Sequence, residues 1–131
     1  MGEAVLRLAS ELEEMFGLAS APEELEPIDA RLLALALENG KLGLAAFASR
    51  LGCDPPRVSD IANRLERRGL LRRVVSRSDR RVRHLLVTEA GEGALRRIGD
   101  RLVATSPLMA MSDSELAELD AALARARSVR R

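Results

Sequence analysis

The chain has 131 residues, of which 47% are hydrophobic and 31% charged. That length suits one compact domain and leaves no room for a second. The net charge of +1 points neither to a nucleic-acid-binding protein nor to an acidic solvating protein. Two phenylalanines are the only aromatic residues, which argues against a stacking platform for single-stranded nucleic acid.

The charge is unevenly distributed along the chain. Residues 1–49 contain nine acidic and three basic side chains, a local balance of −6. Residues 50–84 contain eleven arginines and four acidic side chains, a balance of +7, and the remainder has seven of each sign. A contiguous basic segment is typical of a surface that contacts phosphates, although a solvated face can have the same composition.

The spacing of apolar residues predicts three helices in the first half of the chain. They cover Gly2 to Leu18, Ile28 to Glu38 and Leu44 to Leu51. Prolines at positions 22 and 27 interrupt the pattern between the first two helices, and Asn39-Gly40 ends the second.

A fourth helix follows the turn formed by residues 52–54. Asp54 can cap its first amide groups, and Pro55 suits the first helical position because that position needs no N–H donor. Its apolar stripe consists of Val58, Ile61, Ala62 and Leu65. Gly69 supplies a left-handed cap at the end. Two short helices joined by a three-residue turn predict a helix-turn-helix.

The second half of the chain predicts a β-hairpin and two further helices. Residues 70–75 and 83–87 are strand-like runs on either side of an arginine-rich turn. Thr88 caps a helix from Glu89 to about Ser106, limited by Pro107. The sequence Ser-Asp-Ser-Glu at 112–115 fits a capping box that opens the last helix, and we expect residues 127–131 to fray. The predicted fold is mainly α with a small β-hairpin.

A helix-turn-helix followed by a hairpin is the winged-helix arrangement, and here the sequence resembles one family. The residues D-R-R at 79–81, five further residues and V-T at 87–88 are similar to the wing motif of the MarR family of winged-helix transcription regulators. Valine replaces the family's leucine at position 87. The run L-E-R-R-G-L at 65–70 resembles the end of the family's DNA-binding helix, and the order of six helices also agrees.

The resemblance implies a domain organisation and a function. One MarR-like domain would cover residues 1–131, with a DNA-binding winged-helix lobe at about 28–88 and dimerisation helices at about 2–18 and 89–127. The protein would be a homodimer that binds a pseudo-palindromic double-stranded DNA operator, with half-sites about 34 Å apart. Family members are most often repressors, released when a small-molecule effector binds between the dimer region and the DNA-binding lobe.

The resemblance also assigns candidate DNA-binding residues. Arginine can bind guanine and asparagine can bind adenine in the major groove, while wing arginines lie at or near the minor groove. Asp79 would orient one of the wing arginines. The candidates are Arg57, Ser59, Asp60, Asn63, Arg64 and Arg67 of the fourth helix and Arg77, Arg80 and Arg81 of the wing.

Two positions depart from the family pattern. Family members often have a basic residue at the position of Asp60, and a small polar residue at that of Pro56. Asp60 would either accept a hydrogen bond from a cytosine amino group or form an ion pair with a neighbouring arginine. We expect the ion pair. These departures leave an alternative open, a winged-helix interaction module whose arginine-rich face binds an acidic partner.

Cysteine and histidine are too few for most site chemistry. Cys53 and His84 are single residues of their types, and no carboxylate pair has a spacing suited to metal binding or acid–base work. We therefore expect no disulfide, no metal site, no catalytic residues and no cofactor, and the protein is not predicted to be an enzyme. Cys53 is either a redox-active thiol or a small half-buried side chain, which we favour. No stretch approaches the roughly 18 apolar residues of a membrane span, so a cytoplasmic protein without a membrane partner is expected.

Overall fold

The computed structural model describes residues 1–75, 83–105 and 110–129. Within these ranges six α-helices and one antiparallel strand pair follow the predicted order, which confirms the predicted fold class. The predicted hairpin tip and Pro107 lie outside the described residues. The elements are α1 (Gly2–Ser20), α2 (Pro27–Asn39), α3 (Leu44–Leu51), α4 (Pro55–Arg67), β1 (Leu71–Val75), β2 (Arg83–Val87), α5 (Glu89–Thr105) and α6 (Asp113–Val129).

The predicted helix-terminal signals are present. The Asp54 carboxylate accepts a backbone N–H in the first turn of α4 at 3.0 Å, and the Thr88 hydroxyl does the same at 3.1 Å in α5. At the start of α6, Ser112 and Glu115 exchange the two reciprocal hydrogen bonds of a capping box. Gly69 after α4 has φ +73°, the left-handed conformation that favours glycine.

The core lies where α2, α3 and α4 meet the strand pair. Its largest fully buried apolar side chains are Phe47, Leu32, Leu33, Ile61, Leu65, Leu71 and Val58. Cys53 is half-buried and packs against this core, as favoured from the sequence. The helix-turn-helix pair α3 and α4 and the two strands therefore share one apolar core, which fixes the position of α4 relative to the strands.

Two glycines allow the strands to lie directly on the helices. A Cβ atom at Gly40 would overlap the carbonyl oxygen of Leu85, and one at Gly91 would overlap that of Leu70. The Leu85 N–H donates to the Gly40 carbonyl at 2.9 Å, and the Thr88 N–H donates to that of Leu70 at 3.1 Å. The base of the wing is thereby attached to α2 on one side and to α5 on the other.

Two helix ends differ from the prediction by more than one residue. Helix α1 continues to Ser20, where the Ser20 hydroxyl donates to the Phe16 carbonyl at 2.7 Å and the residue is fully buried, so tertiary packing extends the helix. A 3-10 turn at Ala21–Glu23 then leads to α2. Helix α6 runs through Val129, so residues 127–129 are helical where the sequence predicted a frayed end. Residues 130 and 131 lie outside the described ranges.

Candidate nucleic-acid interface

Helix α4 turns an apolar stripe inwards and leaves a polar face exposed. The buried residues are Val58, Ile61, Ala62 and Leu65. At about 3.6 residues per turn, Asp60, Asn63 and Arg67 lie at the centre of the opposite face. Asp60 and Arg67 are exposed and Asn63 is half-buried. This face has the chemistry of a base-contacting surface, because it combines a cation, an amide and a carboxylate on one accessible helix side.

The edge of this face towards α2 is fixed by an ion pair. The carboxylate of Asp29, in the first turn of α2, accepts from Arg64 Nε at 3.3 Å and from Arg64 Nη2 at 2.8 Å. The Asp29 side chain is only 9% exposed, whereas that of Arg64 is 43% exposed. The hydrogen bond to Asp29 raises the pKa of the Arg64 guanidinium above its usual value.

The edge towards β1 is fixed by Arg73. Its Nη2 donates to the Ser59 carbonyl at 2.9 Å, and its backbone N–H donates to Glu66 Oε2 at 3.0 Å. Both acceptors belong to α4. Arg73 of β1 therefore adds two hydrogen bonds to α4 beside the shared core.

The end of α4 is joined to the turn between α1 and α2. Arg68 donates to the carbonyl oxygens of Glu23 and Glu24 at 2.8 and 2.7 Å. The carboxylate of Glu23 in turn accepts from Arg97 and Arg101 of α5. The hydrogen bond from Arg97 lowers the pKa of Glu23 below its usual value, and Arg101 acts in the same direction. A polar cluster thus connects α4 to α5 through residues 23 and 24.

Known proteins with this architecture decide the family. The sequence model described as "MarR family" matches residues 25–82. The transcriptional repressor CouR, solved bound to a 23-mer DNA duplex, is 30% identical over the whole of this chain and 92% of its own, with a TM-score of 0.70. This chain belongs to the MarR family. It is a DNA-binding transcription regulator with a winged-helix fold.

Other solved structures share the fold of this MarR-family regulator. Apo MarR from E. coli is 13% identical, with 96% of this chain and 95% of that chain covered and a TM-score of 0.75. A Mycobacterium tuberculosis MarR family protein in complex with salicylic acid is 20% identical, with coverage of 95% and 94% and a TM-score of 0.73. No curated protein sequence matches significantly.

The structure brings the predicted α4 residues of this MarR-family regulator onto one helix surface. Arg57, Asp60 and Arg67 are exposed, and Ser59, Asn63 and Arg64 are half-buried. Four predicted wing residues, namely Arg77, Asp79, Arg80 and Arg81, lie outside the described residues.

The ion pair expected for Asp60 is not formed in the described part of the chain. There the Arg64 guanidinium hydrogen-bonds Asp29 instead, and Asp60 contributes only a weaker electrostatic stabilisation of the Arg64 charge. The roles of Asp29, Glu23, Arg68 and Arg73 around α4 were not predicted from the sequence. The acidic side chain in the apolar helix α2 is a signal that could have been used, since a buried aspartate requires a partner.

A groove in this MarR-family regulator opens between α1, α2 and α5. It has a volume of about 410 Å³ and is lined by Leu12, Glu13, Phe16, Arg31 and Leu102. A neighbouring cavity of about 290 Å³ shares Phe16 and Arg31 and extends to Arg50 of α3. Arg31 Nη2 donates to the Arg50 carbonyl at 3.3 Å. Arg31 of α2 thus lines the groove and also contacts the last turn of α3.

The described residues also show whether the chain has features of a membrane protein or a metalloprotein. Across them, no helix combines the length and apolar composition that a bilayer crossing requires. Nor do residues 1–75, 83–105 and 110–129 bring together three or more His, Cys, Asp or Glu side chains as a metal ion would need.

Proposed function

We propose that this MarR-family regulator is a homodimeric repressor that binds a pseudo-palindromic operator. The observation that carries the proposal is the exposed polar face of α4, fixed along two edges and at its end by α2, β1 and the turn before α2. A rigid helix with one accessible polar side suits insertion into the major groove. The 30% identical relative is a transcriptional repressor bound to DNA, which supports the same role here.

Unpartnered apolar surface supports the dimer. Helix α6 has 17 residues and none of them is buried, although Leu116, Leu119 and Leu123 recur along one side. Helix α1 likewise exposes Leu8 and Leu12. Apolar stripes of this kind need a second surface, and two-fold pairing of the same helices supplies one. The pair would then place two copies of α4 in successive major grooves.

The DNA contacts are divided between α4 and the wing. Within α4 we assign base-edge contacts to Asn63 and Arg64, and contacts to bases or nearby phosphates to Arg57, Ser59, Asp60 and Arg67. For the wing we retain the prediction that Arg77, Arg80 and Arg81 contact the backbone or minor groove, with Asp79 orienting one of them.

The groove beside Arg31 is the proposed effector site. Leucine and phenylalanine side chains suit an apolar body, and the Arg31 guanidinium suits a carboxylate. A ligand anion would compete with the Arg50 carbonyl for the guanidinium, and would thereby alter the support of α3 in the helix-turn-helix. A fold relative in complex with salicylic acid is consistent with an aromatic acid.

Calorimetric titration with salicylate tests the effector site. Binding by the wild-type protein and its loss in Arg31→Gln would support the assignment. Equal binding by both proteins would place the effector elsewhere, and no binding by either would remove salicylate as an example of the ligand class.

The operator is tested by selecting the purified protein against a random duplex library at near-physiological salt and sequencing the retained DNA. An inverted repeat with half-sites about one helical turn apart is expected. Retention without any sequence preference would contradict the operator model and favour the interaction module with an acidic partner. Heparin would compete in both cases, so preference for one duplex over scrambled DNA of equal length is the deciding result.

A further inference from the structure

A buried carboxylate of α2, that of Asp29, hydrogen-bonds the guanidinium of Arg64 in α4. We propose that Asp29, which lies outside the recognition helix, is a positioning residue that holds the guanidinium of Arg64 so that its free edge binds a guanine. The inference rests on the proposed insertion of α4 into the major groove.

The geometry of the guanidinium allows both contacts at once. Arginine has five N–H donors in a planar group. The Asp29 carboxylate accepts one hydrogen from Nε and one from Nη2, which form one edge of that plane. The adjacent edge, formed by Nη1 and the second Nη2 hydrogen, has the paired donors that bind O6 and N7 of guanine.

Burial separates the roles of the two residues. The Asp29 side chain is 9% exposed and held within the core-facing part of α2, so it acts on Arg64 and not on the duplex. The Arg64 side chain is 43% exposed, which leaves part of it accessible from solvent. Because the side chain is already fixed before binding, less conformational entropy is lost when it contacts DNA.

Electrostatics favours a base over a phosphate as the ligand of Arg64. The buried carboxylate neutralises the arginine, and a neutral pair attracts phosphate weakly while keeping its N–H donors. Glu26 and Asp60 also stabilise the Arg64 charge through space, but in the described part of the chain only Asp29 hydrogen-bonds to it. Removal of the Glu26 charge is therefore a matched control for removal of the Asp29 hydrogen bonds.

The test uses the full-length protein and the duplex that the wild type selects from a random library. Dissociation constants are measured on all single-base-pair variants of that duplex for the wild type, Asp29→Asn and Glu26→Gln. In the wild type we expect a preference for guanine of about 5- to 100-fold at one position of each half-site. Asp29→Asn should reduce that preference several-fold while other positions keep theirs. Glu26→Gln should retain the full wild-type preference.

Salt dependence and a second variant make the test decisive. The slope of log K against log salt should not decrease in Asp29→Asn, because no phosphate contact is lost and the charge of Arg64 is no longer neutralised. Arg64→Lys keeps the charge but lacks the planar fork, so it should lose preference at the same position and thereby identify Arg64 as the residue that contacts the guanine. Asp29→Glu keeps the charge but displaces the carboxylate, so it should weaken the same preference, and it provides the test of Asp29 if Asp29→Asn does not fold. Circular dichroism of each variant reports folding.

Three results would overturn the inference. They are a uniform loss of affinity with all base preferences intact, an unchanged guanine preference in Asp29→Asn, or a decrease in the salt slope of Asp29→Asn that reveals a phosphate contact. If the wild type itself prefers no sequence, the proposed operator function fails and the inference fails with it. A guanine preference that Asp29→Asn alone retains rejects only the role of Asp29, and one that Arg64→Lys also retains rejects the guanine contact of Arg64 as well.

Discussion

Replacing Gly91 by alanine should destabilise the protein, even though alanine is the better helix former. Gly91 lies in the first turn of α5, and a Cβ there would overlap the Leu70 carbonyl and contact Val87 Cγ1 too closely. The Leu70 carbonyl cannot move freely because it accepts the Thr88 N–H at 3.1 Å. Alanine gains roughly 1 kcal/mol of helix propensity, whereas overpacking of this kind costs typically 1–3 kcal/mol. Because the overlapping atom belongs to the backbone and not to a flexible side chain, the cost lies at the upper end of this range. We therefore expect the free energy of unfolding to fall by about 1–2 kcal/mol in total.

The same substitution elsewhere in α5 provides the control. In the protomer a Cβ at Gly99 would meet nothing within 4 Å, so Gly99→Ala should gain about 0.5–1 kcal/mol from helix propensity alone. Thermal unfolding at one fixed protein concentration should show a Tm about 3–8 °C lower for Gly91→Ala and a few degrees higher for Gly99→Ala. If Gly91→Ala raised the Tm as Gly99→Ala does, the close approach between α5 and the wing base would be refuted.

Three further predictions concern charge, DNA and assembly. Glu23→Gln should lower the Tm at pH 7 relative to the exposed control Glu24→Gln. The reason is that Arg97 lowers the pKa of the Glu23 carboxyl in the folded state. The stabilisation by the Glu23 carboxylate is therefore present above the usual pKa of 4.5 and is lost as the pH falls through the lowered pKa. A Tm difference between the two variants that persisted unchanged to pH 3 would contradict this pH dependence. Arg67→Ala should reduce the salt slope of operator binding by about 0.9 for each phosphate contact removed; an unchanged slope would place Arg67 away from phosphate. Leu123→Asp in α6 should shift sedimentation from dimer to monomer, and a dimer of undiminished affinity would exclude α6 from the interface.

The boundaries of the secondary structure could be predicted because their causes are local. Helix α3 (Leu44–Leu51) and strand β2 (Arg83–Val87) have the predicted limits. Asp54 and Gly69 act within a few residues of their own position, as a cap and a left-handed residue. Helix α1 extends two residues beyond its predicted end because Ser20 is buried against the rest of the fold, and local sequence does not encode that burial.

The contacts around α4 could not be predicted because their partners are distant in sequence. Asp29 and Arg64 are 35 residues apart, and Arg97 and Glu23 are 74 apart. The sequence identified the arginines of the basic segment as a group, but it could not distinguish those that contact protein from those available to DNA. That distinction depends on which carbonyl or carboxylate the fold brings within about 3 Å of each guanidinium.

The acceptor of each arginine determines what remains of its charge. Arg68 and Arg73 donate to backbone carbonyl oxygens, which carry no net charge, so both continue to contribute to the positive field that attracts DNA from a distance. Arg64 donates to the carboxylate of Asp29, and the two charges cancel. Two kinds of intramolecular contact thus fix α4 with opposite electrostatic consequences. The basic segment can hold its helix rigidly with three arginines while only one of them ceases to attract phosphate.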